Sequence, residues 1–153
     1  MKVISGGQTG ADKTGLIIAR ELGIPTGGTA PKGWLTEAGP DYELRDIYGL
    51  VEHLSPRYRP RTQKNVKDAA GTVIFGDTSS TGTRETLYAC ERYSRPFLVN
   101  CEPEVIWRWI LALNIDVLNV AGNRLSKHPQ IGTIVRAALV PALEEVLRAR
   151  AIS

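Results

Sequence analysis

Short apolar runs alternate along the chain with segments of helical period, the pattern of an α/β sheet. Val3-Ile4 is the first run, ended by glycines. A helical stretch follows through Leu16, Ile17, Ile18, Ala19 and Leu22, with Gly23 as its C-terminal stop. Ile24 to Gly27 predicts a short second strand. Gly28 to Pro60 is rich in Gly, Pro and Asp and reads as an extended surface excursion. Beyond it, a helix is expected from Thr62 to Ala70 and a buried strand at Thr72-Val73-Ile74-Phe75. A polar loop then leads into a helix from Gly82 to Tyr93, and Phe97 to Asn100 is the next strand. Pro103 suits the first position of a helix, with Glu104 complementing its dipole and Trp107 and Ile110 on one face. Asp116 to Ala121 is the last strand, and Pro129 or Gly132 opens a final helix that Pro141 is expected to kink or restart.

Strand, helix, strand in series calls for a parallel sheet with right-handed crossovers, covered by helices on both faces. Strands near Val3, Val73, Leu98 and Val117 form its core. Such sheets take ligands at the carboxyl ends of their strands, which directs attention to the loops after Ile4, Phe75 and Val120. At 153 residues the chain has room for one domain, spanning 1–153. With 42% hydrophobic and 23% charged residues it has the makings of a packed core, and no apolar run approaches the roughly 20 residues of a membrane span. Two cysteines and an N-terminus unlike a signal peptide point to free thiols in the cytoplasm. His53, His128, Cys90 and Cys101 are too few and too scattered for a dedicated metal site. The net charge of +3 suits an anionic small ligand and is too mild to argue for nucleic acid.

Ser5-Gly6-Gly7-Gln8-Thr9-Gly10-Ala11-Asp12 lies between a strand and a helix. Its glycines allow close backbone approach, and amides at a helix start attract anions; Thr9 and Asp12 are placed to form a capping box. Gly7 to Thr14 imitates a phosphate-binding P-loop, but Asp12 replaces the second glycine with a group that repels phosphate. The loop is not a Gly-x-Gly-x-x-Gly dinucleotide fingerprint either. Gly76-Asp77-Thr78-Ser79-Ser80-Thr81-Gly82-Thr83 carries more hydroxyls than helix capping needs, which favours ligand contact. Asn119 to Lys127 combines small residues with the charges of Arg124 and Lys127, and reads equally as a ligand loop or a solvated turn. Arg57, Arg59, Arg61, Lys64 and Lys67 make a basic stretch whose ordinary explanation is a solvated face. Arg61 is its best candidate for ligand contact. Single-stranded nucleic acid is a weak third reading of the stretch, because Tyr58 is its only aromatic residue.

Four motifs together resemble the molybdenum cofactor carrier family, the circularly permuted YpsA-like branch of the SLOG superfamily. They are Ser-Gly-Gly-Gln-Thr-Gly-Ala-Asp at 5–12, Ala-Pro-Lys-Gly-Trp at 30–34, Arg-Thr-Gln-Lys-Asn-Val at 61–66 and Asn-Val-Ala-Gly-Asn-Arg-Leu-Ser-Lys at 119–127. The resemblance implies a Rossmann-like three-layer sandwich, homo-oligomers (dimer or tetramer) and binding of molybdenum cofactor (molybdopterin) or a related nucleotide, with molybdenum enzymes as recipients. Apolar faces containing Trp107, Trp109 and Leu139 are candidate contacts between copies. On this reading the ligand residues are Gly6, Gly7, Gln8, Thr9, Gly10 and Asp12, then Lys32 and Arg61 as neutralising charges. Ser80, Thr81, Gly82 and Thr83 follow, with Asn119, Gly122 and Ser126. No catalytic residue is assigned. The alternative is a nucleotide N-glycosidase like the LOG phosphoribohydrolases, with Glu85 or Asp12 as the acid or nucleophile and Arg84 orienting phosphate. Those enzymes carry Gly-Gly-x-Gly-Thr-x-x-Glu, whereas here Thr86 stands at the glutamate position and Ser79-Ser80 replace the first glycines.

Overall fold

The structure is a computed structural model that describes residues 1–152. Strands β1 (Lys2–Ile4), β2 (Thr26–Gly27), β7 (Gly71–Phe75), β8 (Phe97–Val99) and β9 (Val117–Gly122) form one sheet in the order β2-β1-β9-β7-β8. Every pairing in it is parallel, with Val3 beside Leu118, Ile4 beside Asn119 and Thr72 also beside Asn119. The short strands β3 (Thr29–Ala30) and β6 (Val51–Glu52) pair parallel, and β4 (Leu35–Thr36) and β5 (Gly39–Pro40) form an antiparallel hairpin.

Six helices complete the described residues: α1 (Ala11–Glu21), α2 (Glu43–Asp46), α3 (Tyr58–Asp68), α4 (Thr81–Arg92), α5 (Pro103–Ala112) and α6 (Ile131–Ala151). α6 packs against both α1 and α5, while α3 packs against α4. Alternation along the strands gives the sheet two unlike faces. Val3, Leu118, Val120, Val73 and Phe75 join Ile18, Ile106, Ile110, Val135, Leu139 and Leu143 in the main core. The opposite face carries Thr72 and Asn119, both buried, under α3 and α4. One face is therefore a dry core and the other has polar groups at its centre.

Four expectations need correction. Gly28 to Pro60 is not a mere surface excursion, because Ala30, Trp34, Leu44, Tyr48 and Leu50 bury themselves against Leu16 as a second small core. The helix expected at Thr62 begins at Tyr58, with Pro60 in its first turn, where a missing N–H leaves no bond unmade. Pro141 does not restart the last helix, which continues from Ile131 to Ala151 with the proline ring exposed. Leu139, proposed as a contact between copies, is fully buried in the main core and offers no surface to a partner.

Candidate functional site

A cleft of about 700 Å³ opens at the carboxyl edge of the sheet, on the side of α3 and α4. Gly6, Gln8 and Asp12 from the first loop line it. Ser79, Ser80, Thr81 and Gly82 come from the second loop, and Asn119, Ala121, Gly122, Asn123, Arg124 and Lys127 from β9 and the third. Arg57, Tyr58, Arg59, Arg61, Thr62 and Asn65 of α3 close the remaining wall. The three loops are far apart in sequence and meet here because their strands are parallel and adjacent.

The loops are fastened to one another by buried polar groups. Asn123 is the hub of the second and third loops: its Oδ1 accepts from the Asp77 amide at 2.6 Å. Its Nδ2 lies 2.9 Å from the Asp77 carbonyl, 3.1 Å from Ser80 Oγ and 3.2 Å from Thr83 Oγ1. Ser79 donates its amide and hydroxyl to Asp77, and those bonds hold the Asp77 carboxyl below the ordinary aspartate value. Most of the hydroxyls in this loop thus build the loop itself. Ser80 caps α4 by accepting from the Thr83 amide at 3.4 Å. The first-turn amides of Thr81 and Gly82 have no intrahelical partner, and both residues face the cleft.

The start of α1 is filled differently. Thr9 and Asp12 do not form a capping box around it: Gly10 occupies the N-cap position with no side-chain cap. The Asn123 carbonyl accepts from the Ala11 amide at 3.1 Å, and Asp12 Oδ2 accepts from the Gln8 amide at 3.2 Å. Arg61 Nη1 also lies 3.2 Å from Asp12 Oδ2, forming a buried ion pair. Burial pushes the Asp12 carboxyl above its usual value, against the opposing pull of the Arg61 guanidinium and the Gln8 amide. The Arg61 side chain reaches this point by crossing Gly6, where an added Cβ would sit 1.9 Å from Nη1. Gly6 is therefore the space in which the guanidinium lies. Two buried polar atoms of the cleft's lining residues lack a hydrogen-bond partner, Arg61 Nε and Asn119 Oδ1, although the Arg61 guanidinium also lies over the Tyr58 ring at 5.5 Å.

Of the predicted site residues, Gly6, Gln8, Asp12, Arg61, Ser80, Thr81, Gly82, Asn119 and Gly122 line this cleft. The others stand elsewhere. Gly7 turns away at a φ of 76°, against Leu44 of the second core. Thr83 lies beneath the lining as a partner of Asn123 and Ser80. Lys32 is exposed outside the cleft. Thr9 and Ser126 face a junction centred on Glu37, whose carboxylate accepts from the Thr9 hydroxyl, the Ser126 amide at 3.0 Å and the Ser126 hydroxyl at 2.5 Å, while Gly10 lies against the backbone of Asn123 to Leu125. Against the upward push of burial, those bonds and Arg124 hold Glu37 below its ordinary value. Lys13, at the P-loop lysine position, is spent on Asp41 and Glu43.

Sequence reasoning read Arg57 and Arg59 as part of a solvated basic stretch and gave no site role to Asn65, Asn123 and Glu37. The available signal was the helical spacing of Arg57, Tyr58, Arg61 and Asn65, which places them on one side of α3. The cleft's charge is positive on balance: Arg57, Arg59, Arg61, Arg124 and Lys127 face Asp12, Asp77 and Glu85. Arg84, cast as a phosphate ligand in the glycosidase alternative, lies outside the lining, whereas Glu85 and Thr86 are both within it.

Parallel strands with helices on both faces, and a cationic cleft where their carboxyl ends meet two loop-to-helix turns, define a Rossmann-like three-layer sandwich. The sequence profile of the circularly permutated YpsA SLOG family matches residues 3–143, and the chain belongs to that family. The chain is also similar to a protein of Syntrophus aciditrophicus SB whose crystal structure bears the name "putative molybdenum carrier protein". The two are 36% identical over 95% of this chain and 94% of that one, with a TM-score of 0.80. No curated protein matches the chain.

Proposed function

We propose that the protein is a carrier that holds an anionic pterin or nucleotide ligand, with molybdenum cofactor the leading candidate, in the cleft between α3, α4 and β9. The observation that carries this reading is the α4 start: two unpartnered amides, Thr81 and Gly82, in a cleft with five basic and three acidic side chains. A helix start carries roughly half a positive charge and is suited to a phosphate. The same cleft has two orphaned buried polar atoms that suit the organic part of such a ligand. Among the described residues no three His, Cys, Asp or Glu side chains come together to hold a metal ion. Any molybdenum would therefore be cargo carried on its organic cofactor, not on this chain's side chains. The name of the Syntrophus protein supports the same reading. One ligand-binding domain, acting as a homo-oligomer in the cytoplasm and delivering to molybdenum enzymes, completes the proposal. Among the described residues no helix is long and apolar enough to cross a membrane.

Gly82→Asp tests the location. Nothing lies within 4 Å of a Cβ added at Gly82, so the variant should fold while placing a carboxylate at the anion site. Isothermal titration with ribose 5-phosphate and nucleoside monophosphates should show binding by the parent and a loss of at least about tenfold in the variant. Equal binding by a folded Gly82→Asp would put the site elsewhere. A second reading, N-glycosidase action, is favoured by Glu85 alone, a half-buried carboxylate inside the cleft. Release of free base from nucleoside monophosphates, abolished by Glu85→Gln, would establish that reading over the carrier.

A further inference from the structure

The floor of the cleft carries a feature that anion binding leaves unexplained. Asn119 stands in the middle of β9, between Ile4 of β1 and Thr72 of β7, and is 3% exposed. Its Nδ2 donates to Thr72 Oγ1 at 3.3 Å. Oδ1 is left as a buried acceptor with no partner. An apolar residue would be the ordinary occupant of a central parallel strand, since an unpaired buried amide oxygen is costly.

Arg61, 9% exposed, supplies the complementary group on the same cleft. Its Nη1 is held by Asp12 and its guanidinium lies over the Tyr58 ring, while Nε is a buried donor with no hydrogen-bond partner. Ile4 is the strand neighbour of Asn119, and Gly6, under the Arg61 guanidinium, lies two residues further on. Both residues line the cleft, Asn119 on its sheet floor and Arg61 on its α3 wall, and a flat fused ring can lie between them. Ala121 and Gly122, both small, continue the floor from Asn119 toward the rim. Thr72 and Phe75 of β7 are three residues apart, so the start of α4 lies beyond a rise of about 10 Å from Asn119. A phosphate at the rim and a ring at the floor match the two ends of a phosphorylated heterocycle.

We infer that the buried end of the cleft is a ring-recognition subsite: Asn119 Oδ1 accepts an N–H from the edge of a nitrogen heterocycle, and Arg61 Nε donates to an acceptor on the same ring. The inference rests on the proposed anion site at α4 and adds the specificity that site lacks. Ring edges with an amino or lactam N–H satisfy the pair, as in adenine, guanine and pterins. A ring that has only acceptors leaves Asn119 Oδ1 buried and unpaired.

Isothermal titration of the full chain with a graded panel tests this. The probes are ribose 5-phosphate, purine riboside 5′-monophosphate (acceptors only), AMP, GMP and 6-hydroxymethylpterin monophosphate. At least one N–H-bearing ring should bind about tenfold or more tighter than purine riboside 5′-monophosphate. A purine preference or a pterin preference within the panel identifies the source of the ring. Asn119→Ala should abolish the advantage of the N–H-bearing ring. If ribose 5-phosphate binds and no N–H-bearing ring exceeds purine riboside 5′-monophosphate, the ring subsite is refuted and the anion site stands. If no phosphate in the panel binds, both fall. Should Asn119→Ala fail to fold, the comparison of rings on the parent protein still decides.

Discussion

Glycines with similar sequence surroundings do different work here, and substitution separates them. Gly7 and Gly82 both belong to Gly-rich turns after strands, yet only Gly82 has open space where a side chain would go. Gly7 sits at a φ of 76°, and a Cβ there would come within 2.5 Å of Leu44 Cδ1. Gly7→Asp should therefore lose more than about 2 kcal/mol of stability through backbone strain and displacement of the second core. Urea denaturation without ligand checks this, and Gly82→Asp should stay near the parent value in the same experiment. Glu37 gives a pH-dependent counterpart. Its carboxyl lies below the ordinary value of 4.5 when folded, so the native state binds fewer protons than the unfolded chain in that range. The associated stability is complete above the unfolded value and is lost as pH falls through the folded one. Glu37→Gln should cost on the order of 1 kcal/mol at pH 7, with the gap to the parent narrowing below pH 4. A gap that stays constant in denaturation curves down to pH 3 would contradict the role of the carboxylate.

Elements that alternate plainly between apolar strand and amphipathic helix were legible from sequence, and β1, β7, β9, α1 and α4 lie where periodicity puts them. The segment from 28 to 57 was not legible, because its order comes from contacts that no local pattern encodes. Trp34, Leu44 and Leu50 stand in short apolar stretches with no helical or strand period, and form a core together with Leu16. The candidate cleft divides in the same way. Its loops follow from the rule of strand ends, but the α3 wall was hidden because Arg57, Arg59 and Arg61 look like an ordinary solvated basic run. Asn65 shows how that wall is locked to its neighbour. Its Oδ1 accepts from the Thr29 amide at 2.8 Å, and its Nδ2 lies 2.9 Å from both the Thr29 and Arg61 carbonyls. Asn65→Ala leaves buried groups of β3 unpaired and should destabilise the protein by about 2–3 kcal/mol. Amide hydrogen exchange at Thr29 should accelerate in this variant even under conditions where the global fold is intact.

Across the whole molecule, the two sides of the sheet are stabilised unequally. The side of α1, α5 and α6 shares one large core, in which Ile18, Ile106, Ile110, Val135, Leu139 and Leu143 are all buried. The cleft side depends on two small clusters, one around Leu16, Trp34 and Leu44 and the other around Val66, Ala89 and Cys90. Buried apolar area contributes stability at about 25 cal/mol per Å², so the smaller clusters should open at lower free energy than the large core. The cleft is walled by α3 and α4, which carry the second of these clusters, and a ligand that bridges α3, α4 and β9 can stabilise them only in their closed arrangement. At a hundred times the dissociation constant, such a ligand contributes about 2.7 kcal/mol against openings that abolish its site. Hydrogen exchange with the tightest-binding phosphate compound should therefore raise protection at Thr29, Val66 and Leu87. Leu139 and Leu143 amides in α6, buried in the large core and expected to exchange through global unfolding, should gain the same increment and no more. Protection that rises in α6 while α3 and α4 stay unchanged would show that the ligand sits on the other side of the sheet.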